Sequence, residues 1–205
     1  MATLPCRVLT ESIHGAPGGD RPTTDFLPPK ALPSTDACVA LRSAPVDAIV
    51  ARLGRELPRP LVFANGMFDL LHAGHVDCLE AARRMGAALV VGVHGDASAC
   101  CLRKGRGQPI NSQADRARVV GALAAVTAVV VFDEVKPLAL ICALRPEIYV
   151  RGGDCDPRLL VEAELVAEWG GRTEIVPRRG ALSSSGLIDR VRHGPWRPAM
   201  PVAAR

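Results

Sequence analysis

Residues 61–85 read LVFANGMFDLLHAGHVDCLEAARRM, and this stretch decides the fold. Leu61-Val62-Phe63-Ala64 is an apolar run with no polar alternation, and it ends at Asn65-Gly66. Such a run reads as a strand covered on both faces. From Gly74 to Met85 the spacing becomes helical. Val76, Leu79, Ala82 and Met85 share one side, and Glu80 and Arg84 pair i,i+4 outside it. A buried strand, a glycine-containing loop and an amphipathic helix, in that order, begin a parallel β-α-β unit.

The same alternation repeats downstream. Ala87 to Val93 is a second apolar run, ending at His94-Gly95-Asp96, and Gln113 to Ala124 is a helix with Asp115, Arg116 and Arg118 as polar positions. Thr127 to Phe132 is a third strand and Pro137 to Leu144 a short helix. Glu147 to Val150 is a fourth strand, ending in Arg151-Gly152-Gly153-Asp154. Leu159 to Trp169 is helical, Thr173 to Val176 is a fifth strand, and Ser184 to Arg192 is a last helix. The expected fold is therefore α/β, a Rossmann-like open parallel five-stranded sheet with helices on both faces. In such sheets the ligand lies beyond the carboxyl ends of the strands, so the polar loops after each strand are the places to search.

Upstream the pattern weakens. Residues 1–35 carry six prolines and three glycines with little apolar periodicity, which reads as a flexible arm. Residues 36–58 read as a helical extension, a helix from about Ala37 to Leu57 interrupted by Pro45 and stopped by Pro58 and Pro60. The expected catalytic domain is 59–193, followed by a loose tail at 194–205. Over the 205 residues, 48% are hydrophobic and 22% charged, which excludes a wholly disordered chain. No apolar stretch reaches the ~18–20 residues of a membrane helix. Aromatic residues are 3%, too few for stacking platforms on single-stranded nucleic acid. A net charge of +4 suits an anionic small substrate as well as it suits nucleic acid. The seven cysteines form no Cys-x-x-Cys pair. The first residues lack a basic segment followed by an apolar core, so the expectation is a reducing, cytoplasmic location with neither membrane nor nucleic acid as partner.

His72 and His75 bracket Gly74 at the start of the first helix. A helix N-terminus presents free N–H groups and the positive end of its dipole, which is a ready phosphate site. Gly74 permits close approach of a phosphate, and two imidazoles there can donate to phosphate oxygens as charge builds on them. Binding of a metal by His72, His75 and Cys78, three residues apart, is a rival reading, but His72 precedes the helix and no fourth ligand is evident. Ser183, Ser184 and Ser185 open the last helix. Serines there cap ordinarily, and they equally set hydroxyls beside free N–H groups where a phosphate would bind.

The Gly-x-Phe-Asp-x-x-His-x-Gly-His segment resembles the signature of the cytidylyltransferase-like nucleotidyltransferases. The later Gly-Asp-Ala-Ser, Lys-Gly…Pro-Ile-Asn, Arg-Gly-Gly-Asp and serine-cluster motifs most resemble the heptose 1-phosphate adenylyltransferases that make ADP-heptose. The resemblance runs from about Leu61 to Arg192. It implies that Asn65, Gly66, Met67, Phe68 and Asp69 surround the phosphates and that His72 and His75 stabilise the transition state. By the same resemblance Lys104 neutralises the reacting phosphate, where its plain alternative is a solvated loop charge beside Arg103 and Arg106. Arg151, Gly152, Gly153 and Asp154 match the base loop, and Ser183–Ser185 the distal phosphate site. Arg116 and Arg178 match substrate contacts, against a surface helix position for Arg116. Cys155 departs from the aromatic residue that relatives often carry there, which removes a stacking contact.

The resemblance implies transfer of AMP from ATP to D-glycero-D-manno-heptose 1-phosphate, with Mg²⁺ bridging the triphosphate, in a homodimer or higher homo-oligomer. Two alternatives stand beside it. One is a cytidylyltransferase using CTP and glycerol 3-phosphate or a similar alcohol phosphate. The other is a nucleotide-binding regulatory protein without turnover.

Overall fold

The computed structural model describes residues 7–8, 39–40, 44–102, 109–153, 155–177 and 183–194. In chain order these form β1 (Arg7–Val8), β2 (Val39–Ala40), α1 (Ala44–Glu56), β3 (Leu61–Gly66), α2 (Ala73–Arg84), β4 (Ala88–His94) and α3 (Asp96–Cys101). There follow α4 (Gln113–Gly121), β5 (Ala128–Phe132), α5 (Leu138–Leu144), β6 (Ile148–Gly152), α6 (Val161–Ala167), β7 (Arg172–Val176) and α7 (Ser184–His193). Every strand pairing is parallel, in the order β1-β5-β4-β3-β6-β7, with β2 also on β5.

The five strands expected from the apolar runs are all present. Two further two-residue strands extend the sheet at the β5 edge. Arg7–Val8 aligns with Ala128–Val129, and Val39–Ala40 with Val130–Val131. Both come from segments read as arm or helix, and two residues carry no period that could have flagged them. The helix expected from Ala37 begins instead at Ala44. Pro45 does not interrupt it, because it lies in the first turn, where a missing N–H costs no hydrogen bond. The remaining residues of 1–43 lie outside the described residues, as do Lys104, Asp154, Arg178 and residues 195–205 of the tail.

Side-chain alternation along each strand builds two cores. Val62 and Ala64, Leu89, Val91 and Val93, Val129 and Val131, and Ile148 and Val150 face the layer of α2 and α4. Leu61 and Phe63, Ala88 and Val90, Ala128, Val130 and Phe132, and Tyr149 face the layer of α1, α5 and α6. Val50 and Leu53 of α1 belong to this second core. A Cβ at Gly54 would lie 2.9 Å from the carbonyl oxygens of Ala143 and Leu144, so the glycine lets α1 and α5 meet backbone to backbone. Among the described residues no helix is long and apolar enough to cross a membrane.

Chain order places the ligand region. The chain runs outward through β3, β4 and β5 and then returns to lay β6 on the other side of β3. That reversal is the topological switch point, where adjacent loops diverge and leave a crevice.

At the opposite end of the sheet, Glu147 is a staple. Its Oε2 accepts from the Leu61 amide at 2.6 Å and from Arg59 Nη1 at 2.9 Å, while Arg59 also donates to the carbonyls of Arg145 and Gly54. Burial pushes the Glu147 carboxyl up, but the Leu61 amide and the Arg59 guanidinium outweigh it and hold it below its ordinary value. A carboxyl lowered on folding stabilises the fold fully above the ordinary glutamate value of about 4.3 and loses that contribution as pH falls through the folded value. Glu147→Gln is expected to flatten this acid limb in urea midpoints taken across roughly pH 3–7. The effect is modest, since the Arg59 and Glu147 side chains are 38% and 43% exposed.

Candidate active site

A cavity of about 780 Å³ opens at the switch point. Its floor is the ends of β3 and β6. One wall is the loop and first turns of α2, and the other is the start of α6 and α7. It is lined by Asn65, Gly66, Met67, Phe68, Asp69, His72, Gly74 and His75 of the motif. Arg151, Gly152, Gly153, Ser183, Ser184 and Ser185 also line it. The structure thus brings together residues from three separate segments that the sequence placed in one site.

His72 is the N-cap residue of α2, in extended backbone, and its side chain makes no capping hydrogen bond. The His72 and His75 rings stack with centroids 3.9 Å apart and 26° between planes. Phe68 sits tilted on the other side of His75, at 5.1 Å. Phe68 is held at φ 52°, a left-handed conformation uncommon for an aromatic residue. A Cβ on Gly74 would come within 3.2 Å of the His72 ring, so glycine keeps that ring over the first turn. The two imidazoles therefore lie at the positive end of α2 on a preformed scaffold.

Asp69 holds the loop from inside. Its Oδ1 accepts from the amides of Ile110 (2.8 Å) and Asn111 (3.0 Å), and its carbonyl accepts from Asn111 Nδ2 at 2.7 Å. Its other carboxylate oxygen is buried with no hydrogen-bond partner.

Arg116 is the clearest departure from the expected site. It is neither a surface helix arginine nor a wall of the cavity, being 1% exposed. Its Nη1 donates to the Met67 carbonyl at 2.6 Å, its Nε to the Asn111 carbonyl at 3.0 Å, and its Nη2 to Asp96 Oδ1 at 2.7 Å. The guanidinium sits behind the motif loop and ties three segments together. Of the polar positions expected on this helix, only Asp115 and Arg118 face solvent.

Among the serines, Ser183 Oγ accepts from the Gly186 amide at 3.0 Å, so the capping reading holds for it. Ser184 Oγ donates to the Leu70 carbonyl at 3.1 Å and joins α7 to the motif loop. Gly153 has φ 120°, which only glycine adopts readily, and its amide donates to the Val176 carbonyl at 3.0 Å. Gly153→Ala is expected to cost about 1–3 kcal/mol, read by thermal unfolding.

The sequence reading missed several cavity residues. His94, at the end of β4, is 6% exposed, with Nδ1 3.3 Å from Ser98 Oγ. Cys78 of α2 lines the wall, and burial pushes its thiol up. Glu162 of α6 is 4% exposed and also lines the cavity. One sign of it was available. Glu162 is four residues before Val166, the buried position of α6, so it is a charge on an otherwise apolar stripe.

The model of the cytidylyltransferase-like family matches residues 63–195. Among curated proteins, the D-beta-D-heptose 1-phosphate adenylyltransferase of Bordetella bronchiseptica is 45% identical over 148 residues, spanning 72% of this chain and 91% of that protein. The bifunctional protein HldE of Streptomyces coelicolor is 43% identical over 193 residues, spanning 91% of this chain but 41% of that protein. Among solved structures, pantoate-beta-alanine ligase from Francisella tularensis has a TM-score of 0.50 at 13% identity, over 69% of this chain and 70% of that one, a likeness of fold.

Proposed function

The chain belongs to the cytidylyltransferase-like family, and from that premise we propose that it transfers AMP from ATP to D-glycero-D-manno-heptose 1-phosphate, forming ADP-heptose and pyrophosphate. The observation that carries the reading is the His72–His75 stack at the N-terminus of α2, inside the switch-point cavity. The 45% identity to a relative named for this activity supports the choice of substrate.

The chemistry needs little beyond positioning. A phosphate oxygen of the sugar phosphate attacks the α-phosphorus in line, the bond from that phosphorus to the bridging oxygen breaks, and pyrophosphate leaves. No covalent intermediate with the protein is required. In this reading His72 and His75 donate to the oxygens that gain charge, and the α2 terminus adds its dipole. Gly66, Gly74 and the backbone from Met67 to Asp69 let the triphosphate lie against the loop. Ser185 and the α7 terminus receive its far end. Arg151, Gly152 and Gly153 stand at the nucleoside end, with Asp154 next in the chain. Lys104 retains its expected role of neutralising the reacting phosphate, and Arg178 that of a substrate contact. Arg116 acts as a positioning residue through the Met67 carbonyl.

Mg²⁺ fits this site as an ion carried mainly by the nucleotide. Among the described residues no group of three His, Cys, Asp or Glu side chains could cage a metal. The unpartnered Asp69 oxygen offers one protein ligand beside the phosphate loop. One carboxylate plus phosphates and waters is a usual Mg²⁺ arrangement. When bound, the ion would neutralise triphosphate charge. A cytoplasmic location and a homodimeric or larger assembly accompany the proposal.

The test is pyrophosphate release with Mg²⁺, offering each of the four NTPs against both anomers of heptose 1-phosphate and against glycerol 3-phosphate. Release with ATP and heptose 1-phosphate is expected. Release confined to CTP and glycerol 3-phosphate would overturn the substrate assignment. Nucleotide binding without any release would favour a regulatory protein.

A further inference from the structure

The cavity has two unlike ends on either side of the phosphate-binding centre. Toward β4 and β5 lie His94 and the exposed cation Lys136. Toward β6 and β7 lie Leu159, Leu160, Val176 and Pro177, with Arg151 and Glu162 as the charged groups. A phosphorylated acceptor suits the first end, and a flat, uncharged base suits the apolar second end.

Glu162 is the anomaly of that second end. A glutamate only 4% exposed is rare unless its charge is answered. None of the hydrogen bonds among the described residues uses its carboxylate. Its electrostatic partners are Arg151 and, behind it, Tyr149. Arg151 Nη1 in turn reaches Tyr149 Oη at 3.3 Å, and the Tyr149 hydroxyl donates to Asn65 Oδ1 at 2.8 Å. Arg151, Tyr149 and Asn65 alternate onto the same face of β6 and β3, the face that α6 covers. Arg151 lines the same end of the cavity as Glu162, and a carboxylate at that wall is an acceptor-only group when ionised.

We propose that Glu162 is a specificity-determining residue, its carboxylate accepting a hydrogen bond from the exocyclic amino group of the bound base. This rests on the nucleotidyl-transfer reading above, and deepens it. A 6-amino purine presents a donor to the carboxylate, whereas a 6-oxo purine presents an acceptor and leaves a buried charge facing a lone pair. Arg151, at the same end of the cavity and in electrostatic interaction with Glu162, is a positioning residue in this respect.

The test is direct binding of nucleotides to the full chain with Mg²⁺ by calorimetry, with no acceptor present. The wild type is expected to bind ATP about 10- to 100-fold more tightly than ITP, the range of one hydrogen bond to a charged group. In Glu162→Gln the preference is expected to collapse toward unity, because the amide can turn its N–H₂ to the 6-oxo group. An unchanged ATP-to-ITP ratio in this variant would overturn the proposal, as would a change in the ATP to 2′-deoxy-ATP ratio instead, which would assign Glu162 to the ribose. A purely structural pairing with Arg151 would lower both affinities together and leave the ratio intact. Should the variant not fold, purine riboside triphosphate, which lacks the amino group, decides on the wild type alone, since binding equal to ATP overturns the idea. Binding without pyrophosphate release from heptose 1-phosphate would sink the acceptor assignment while leaving Glu162 in place. Failure of every nucleotide to bind would sink both.

Discussion

Replacing His75 by alanine is expected to lower turnover by about 10²–10³, the usual cost of removing one donor aimed at developing charge. The fold should survive, because His75 is a half-buried residue in the first turn of α2, whose core contacts come from Leu79 and Ala82. Pyrophosphate release measures the first effect, and thermal unfolding of the same variant the second. Turnover within about threefold of wild type would remove the histidine pair from the mechanism. The stacking of His72 on His75 at 3.9 Å makes the two a unit, so the double alanine variant should lose less than the sum of the single losses. His72 adds a sharper contrast. It occupies an N-cap position without capping, where serine is a preferred residue worth about 1 kcal/mol over a non-capping one. His72→Ser should therefore hold or raise the melting temperature while turnover falls.

Arg116→Ala is expected to destabilise the fold by about 3–5 kcal/mol, the cost of breaking a buried charged hydrogen-bonding centre. Three donors to Met67, Asn111 and Asp96 would vanish, and a large fully buried side chain would leave a hole. For a domain of this size that is a fall in melting temperature of roughly 6–20 °C. Activity should fall with it, because the Met67 carbonyl belongs to the loop that sets Phe68 and His75. A direct substrate contact predicts the reverse pattern, a raised KM with unchanged melting temperature. Arg116→Lys should rescue little, since an ammonium cannot reach three acceptors in the plane of the guanidinium fork.

Much of the fold was legible because its signals are local. The strands β3, β4 and β5 and the start of β6 are apolar runs buried on both faces, so their period could be read directly, whereas β7 is only partly buried. Apart from the start of α1, the ends of the expected helices fell within a few residues of expectation, as at Ser183, whose hydroxyl caps α7. The two histidines around Gly74 were legible as a candidate phosphate site because a helix N-terminus after a buried strand has that property wherever it occurs, and the structure sets them on the cavity wall. Pairing of Arg7–Val8 and Val39–Ala40 with β5 was not legible, since two residues display no period and their partners lie far along the chain.

The side chains misread or missed share one cause. Arg116 sits in a helix where charge ordinarily means solvent, and its acceptors are Met67, 49 residues upstream, and Asp96, 20 residues upstream. Glu162 lines the cavity together with Arg151, from a different element. Sequence alone determined the parallel α/β architecture, the loop that lines the switch-point cavity and the pair of imidazoles within it, because hydrophobic period, glycine and helix polarity act over a few neighbouring residues. Only the tertiary structure decided which charged side chains line the cavity and which hold the scaffold, because the energy of a buried charge depends on the partners that folding brings to it.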